Sequence, residues 1–117
     1  LSDMPTGEEQ GLLFETWFFN ELIRIRDYSH KELSISFWRH KDHEIDFLIE
    51  NHAGPKLAIE CKSGRGNFNY TSIRAFKREF PKVPAIIASM SDTFPRKTED
   101  GIDILPWKIA LAKYQAL

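Results

Sequence analysis

The sequence predicts one α/β domain whose elements run helix, three strands, helix, two strands, helix. Three features carry that prediction. The first third opens with a long, densely apolar segment of helical character. Three segments of period-two alternation or strand composition follow it. A short amphipathic helix pattern then stands between two strand-like apolar runs. The chain has 117 residues, 42% of them hydrophobic, which suits a single packed domain and excludes intrinsic disorder.

Pro5-Thr6-Gly7-Glu8-Glu9 reads as a helix entry, with acids near the positive end of the helix dipole. The helix is expected to run to about Arg26, with Thr16, Asn20, Arg24 and Asp27 on one narrow polar strip. Leu33 to Arg39 alternates as a half-buried strand, and His40-Lys41-Asp42-His43 makes a polar turn. The second strand, Glu44 to Ile49, is expected to place Ile45, Phe47 and Ile49 on one face and Glu44, Asp46 and Leu48 on the other. Asn51 to Pro55 is a loop by composition, and Lys56 to Lys62 is the third strand. Its Leu57, Ile59 and Cys61 share one side, and Ala58, Glu60 and Lys62 the other.

Ser63-Gly64-Arg65-Gly66-Asn67 is loop-like. It leads to a helix over Thr71 to Phe80 with Ile73, Phe76 and Phe80 inward, closed by Pro81. Val83 to Ser89 is a buried strand, residues 91–101 a polar loop, and Ile102 to Leu105 a short last strand. Pro106 is placed to open a terminal helix with Ile109, Leu111 and Ala112 inward.

Composition narrows the function classes. No stretch approaches the roughly 18 apolar residues of a membrane span. The single cysteine, Cys61, cannot form an intramolecular disulfide, and no basic segment followed by a hydrophobic run marks a signal peptide. A soluble, cytoplasmic domain is the expectation. Because the chain begins at Leu1 rather than methionine, it is also expected to be a piece of a longer protein. The net charge of −1 hides an uneven distribution: residues 1–27 carry six acids and two bases, whereas residues 56–82 carry seven bases and two acids. Two readings of the basic stretch stand side by side, a phosphate-binding face and a solvated helix surface.

The residues with the most chemical content are Asp46, Glu60 and Lys62. Glu60 and Lys62 are two apart on a strand and therefore share a face, and a hairpin pairing can bring Asp46 alongside Glu60. Glu15 lies on the apolar arc of the first helix, between Phe18, Phe19 and Leu22, where a lone carboxylate is costly. A salt bridge from Glu15 to Arg26 is the competing explanation. Three acids and one ammonium in one place suit a Mg²⁺ or Mn²⁺ ion, which prefers hard oxygen ligands. Such a site is what phosphodiester cleavage requires. The bland alternatives are an exposed cross-strand pair for Glu60 and Lys62, and a backbone-bonded acid for Asp46.

The segments Glu44-Ile45-Asp46-Phe47 and Ile59-Glu60-Cys61-Lys62, preceded by Gly11-Leu12-Leu13-Phe14-Glu15, resemble the PD-(D/E)XK nuclease superfamily. More narrowly, they resemble the uncharacterised C-terminal domain attached to many bacterial and archaeal AAA+ ATPases, with Arg39 and Glu44 at the spacing of its hairpin. The resemblance covers about residues 7–107, and Ile45 stands where the superfamily motif has its proline. It implies a restriction-endonuclease-like core: a central mixed sheet flanked by helices. It implies that Asp46, Glu60 and the Cys61 carbonyl are metal ligands, Lys62 is the catalytic lysine, and Glu15 completes or orients the site. An attached ATPase is implied as well, and no Walker A phosphate loop occurs in this chain.

Other candidates weigh less. His40 and His43 sit in a turn, which is poor for a structural zinc site. Cys61 alternates onto the apolar face and behaves there as a small hydrophobe. Gly64-Arg65-Gly66 reads equally as a phosphate clasp or a plain loop. Arg65, Arg74, Lys77 and Arg78 are candidate nucleic-acid contacts, and Trp38 and Trp107 are expected to pack. The expected function is metal-dependent hydrolysis of DNA. The alternative is a non-catalytic module that binds nucleic acid or a partner and regulates an attached ATPase.

Overall fold

The computed structural model describes residues 7–66 and 68–117. Pro5 and Thr6 of the expected helix entry, and Asn67 of the expected loop, lie outside them. Helix α1 spans Gly7–Ser29, with Glu8 and Glu9 in its first turn. Strands β1 (Ser34–His40), β2 (His43–Asn51) and β3 (Gly54–Lys62) follow, then α2 (Thr71–Glu79), β4 (Ala85–Ser89), β5 (Arg96–Lys97), β6 (Asp103–Pro106) and α3 (Trp107–Gln115).

The six strands form one mixed sheet in the order β1-β2-β3-β4-β6-β5. β1 to β3 are antiparallel neighbours joined by tight turns, whereas β3–β4 and β4–β6 are parallel. The first turn holds Lys41 at φ +55°. The second holds Gly54 at φ +112°, a conformation that only glycine adopts cheaply, while Asn51 Oδ1 accepts from Ala53 N–H at 2.8 Å. β5, inside the expected polar loop, exists only through pairing with β6 and has no local signal of its own.

Each face of the sheet buries one apolar core, as period-two strands require. On one face α1 and α3 cover Phe47, Ile49, Leu57, Ile59 and Ile86 with Phe14, Phe18, Leu22, Leu111 and Tyr114. On the other, α2 presents Ile73 and Phe76 to Trp38, Ile45, Leu48, Ala58 and Ile87. Trp38 is buried and Trp107 half-buried against Trp17, so both tryptophans pack. In α3 the inward residues are Ala110, Leu111 and Tyr114, while Ile109 and Ala112 face outward. Tyr114 is accommodated because its hydroxyl donates to the Leu22 carbonyl at 2.8 Å, clasping α3 to α1. No helix of the described residues is long and apolar enough to cross a membrane.

One irregularity matters for function. Ser36 lies opposite Leu48 and Trp38 opposite Ile45, so the single residue Phe37 faces two, Asp46 and Phe47. This is a β-bulge, and its extra residue reverses the pleat of β2. Ile45 consequently joins the α2-side core while Phe47 and Ile49 join the α1-side core, correcting the expectation that all three share a face.

A carboxylate cluster where two strands part

β2 and β3 pair from Asn51 opposite Gly54 to Phe47 opposite Ile59. Beyond that point β2 stays with β1, and β3 continues along β4 with Glu60, Cys61 and Lys62 opposite Ile87, Ala88 and Ser89. The bulge at Asp46 sits where the two strands separate. Its carboxyl lies in the gap, where Oδ2 accepts the Cys61 N–H at 2.8 Å. A side chain thus occupies the place that a main-chain carbonyl of β2 would hold in an unbroken ladder. The backbone-bonded reading of Asp46 is therefore true of one of its oxygens.

Three further side chains converge on this gap. Glu15 reaches it from α1, one turn after Gly11, which lies against Ser63 at the end of β3; a methyl group on Gly11 would meet Ser63 Oγ at 3.6 Å. Glu15 interacts electrostatically with the Asp46 carboxyl. Burial, followed by the Asp46 charge, lifts the Glu15 pKa to about 7. Arg26, the alternative partner for Glu15, bonds instead to Asp27 and to the Leu33 carbonyl. Glu60 is 8% exposed, and its carboxyl interacts with the Asp46 N–H. Burial, again followed by the Asp46 charge, pushes its pKa to about 7. Lys62 Nζ stands 3.8 Å from Glu60 Oε2 and is partly buried, so this is no exposed cross-strand pair.

Burial also raises the Asp46 pKa, while the Cys61 N–H, Glu15 and Lys62 pull the other way. The Cys61 thiol is pushed well up by burial and by the surrounding acids, which removes it as a nucleophile. Glu15 and Glu60 thus hold protons up to near neutrality, a common property of functional clusters. Among the described residues no group of three or more His, Cys, Asp or Glu side chains is arranged to hold a metal ion.

The basic candidates are dispersed. Arg74 is stacked on Tyr70 and held by Asp100, with Nε 2.7 Å from Oδ2. Lys77 and Arg78 line a shallow depression of about 290 Å³ beside it. All three belong to α2, which packs on the face of the sheet opposite α1. Arg65 is exposed on the 63–66 loop, whose Gly64 and Gly66 carbonyls accept from Ser91 and Arg96.

Sequence reasoning assigned no role to the groove of about 520 Å³ that opens beside Glu15 and Asp46, between α1 and the β1–β2 hairpin. Leu12 and Phe19, seven apart on α1, and Phe37, opposite the bulge, form its apolar wall. Arg39 lies over the Phe37 ring at 5.3 Å and donates from Nε to Glu44 at 2.8 Å. The seven-residue spacing was a readable signal, whereas the position of Phe37 depends on the bulge.

The family model described as "Domain of unknown function (DUF4143)" matches residues 10–110. No curated protein and no solved structure matches the chain.

Proposed function

Since the chain belongs to the DUF4143 family, whose description assigns no activity, we propose from its own geometry that it is a metal-dependent phosphodiesterase acting on DNA. The observation that carries this reading is the meeting of Glu15, Asp46, Glu60 and Lys62 at the gap between β2 and β3. The same residues carry the resemblance to PD-(D/E)XK nucleases.

The donor chemistry fits a hard divalent cation. Two carboxyls raised to about 7, first by burial and then by the Asp46 charge, would each be relieved by a cation bound between them. Asp46 and Glu60 would hold Mg²⁺ or Mn²⁺. The Cys61 carbonyl points to the same edge of β3 as its N–H and would complete the protein's share. Mg²⁺ commonly takes one or two carboxylates and keeps several waters, so a group of three acidic side chains is not required. When bound, the ion would polarise the phosphoryl oxygen and lower the pKa of a water.

The protein's own groups supply the remainder. Glu15, with its pKa near neutrality, is matched to accept the proton of the attacking water. The Lys62 ammonium stabilises charge gathering on the phosphate. In the net reaction water adds to phosphorus, the P–O bond to the leaving oxygen breaks, and that oxygen takes up a proton.

One observation favours a second reading, a non-catalytic module regulating an attached ATPase: the Asp46 carboxyl is already engaged by the Cys61 N–H. Incubating the chain with linear, plasmid and branched DNA in Mg²⁺ or Mn²⁺ separates the two. The hydrolase reading expects cleavage that falls by about 10²-fold or more in Asp46→Ala and in Lys62→Ala. Cleavage equal to wild type in both variants, or no divalent binding by calorimetry, overturns it.

A further inference from the structure

The groove beside the cluster identifies the form in which a DNA substrate would arrive. We infer that it binds a strand whose bases are unpaired next to the reacting phosphate, with one base laid against Phe37 and Phe19 and its phosphate at Arg39. This inference rests on the hydrolase reading for its reaction, but on the groove for its specificity.

Three observations support it. First, Glu15 and Asp46 line the groove, so whatever fills it touches two members of the cluster. Second, its wall exposes large apolar side chains that a folded domain would normally cover: Phe37 is 62% exposed, Leu12 65% and Phe19 38%. Phe19 is also a prepared surface, its ring stacked on Phe47 at 5.7 Å with the planes 6° apart. Third, the Arg39 guanidinium lies over Phe37 at the same wall, setting a cation beside a π-face; Glu44 holds its Nε and Nη2, so an arriving phosphate would share or displace that carboxylate. Aromatic faces beside an arginine are the chemistry by which single strands are held, because every base offers a π-face. In an intact duplex those faces are stacked on one another and unavailable to the groove.

The test measures binding without cleavage. Fluorescence anisotropy in EDTA compares a labelled oligothymidylate of about 12 nucleotides, an abasic strand of equal length, and a blunt hairpin duplex. Oligothymidylate is expected to bind about tenfold more tightly than either competitor. Phe37→Ala is expected to weaken oligothymidylate binding about tenfold and leave duplex binding unchanged, and Phe37→Trp to restore it. Equal affinity for the abasic strand, or for the duplex, overturns the inference, as does an unchanged affinity in Phe37→Ala. Failure of the hydrolase reading is a separate outcome: Phe37-dependent strand binding with no cleavage in Mg²⁺ or Mn²⁺ keeps this inference and removes the reaction.

Discussion

Replacing Glu60 with glutamine removes one carboxyl charge from the cluster while nearly preserving its shape. In the folded protein this carboxyl is lifted from 4.5 to about 7 by burial and then by the Asp46 charge. The native state therefore keeps a proton that the unfolded chain has already lost. This contribution to stability is fully present below about pH 4.5 and declines as the pH rises through about 7. A raise of about 2.5 units at 1.36 kcal/mol per unit makes the decline about 3 kcal/mol. Glutamine has no proton to lose, and its carbonyl can still face the Asp46 N–H. Glu60→Gln is thus expected to be about 3 kcal/mol more favourable to folding at about pH 8 than at about pH 4.5. For a domain of this size the difference corresponds to roughly 10 °C in Tm.

Thermal and urea unfolding followed by circular dichroism, with EDTA present, measures the effect at both pH values. An equal change at both, or a loss of stability confined to high pH, would refute the reasoning, because the charge would then have been compensated. A second arm adds about 10 mM Mg²⁺ at about pH 8. At a dissociation constant of about 1 mM, wild type should gain about 1.4 kcal/mol. The variant, lacking one ligand, should gain little. Identical responses from both proteins would detach Glu60 from the ion.

Other consequences can be checked independently. Phe18 of α1 is fully buried against Phe47, so Phe18→Ala should cost about 3–5 kcal/mol, read as a lower urea midpoint with an unchanged slope. Lys41 occupies the left-handed region at φ +55°; Lys41→Gly should leave stability unchanged or raise it by up to about 1 kcal/mol in the same assay. If Lys77 and Arg78 touch phosphates, their double alanine variant should bind DNA with a log-affinity against log-salt slope shallower by about 2. An unchanged slope would return α2 to a solvated surface.

Strand composition and alternation made β1, β2 and β3 legible as strands, although strict alternation misassigned the faces of β2 at the bulge. The Glu60–Lys62 spacing was legible too: two residues apart on a strand means one face. What the sequence conceals depends on partners far along the chain. β5 has no pattern of its own and owes its existence to β6. Ile109 carries a stronger apolar signal than Tyr114, yet Tyr114 is inside because the Leu22 carbonyl is there to receive its hydroxyl. Arg74 reads as a free cation until folding supplies Asp100.

The bulge is the most consequential hidden feature, and it accounts for the geometry of the cluster. In an unbroken hairpin Asp46 would stand directly opposite Glu60 by continuation of the Phe47–Ile59 register, and strict alternation would direct its carboxyl to one face of the sheet. One extra residue in β2 instead frees Asp46 from that alternation, and the parting of β2 from β3 leaves the Cys61 N–H for its carboxyl to take. The carboxyl then lies between the faces, where Glu15 can meet it from the α1 side while Glu60 interacts with its N–H. Four residues drawn from α1, β2 and β3 therefore share one electrostatic environment because the sheet opens at this point. The opening costs ladder hydrogen bonds, and Asp46 restores one of them with its side chain, so the same residue both mends the sheet and charges the site.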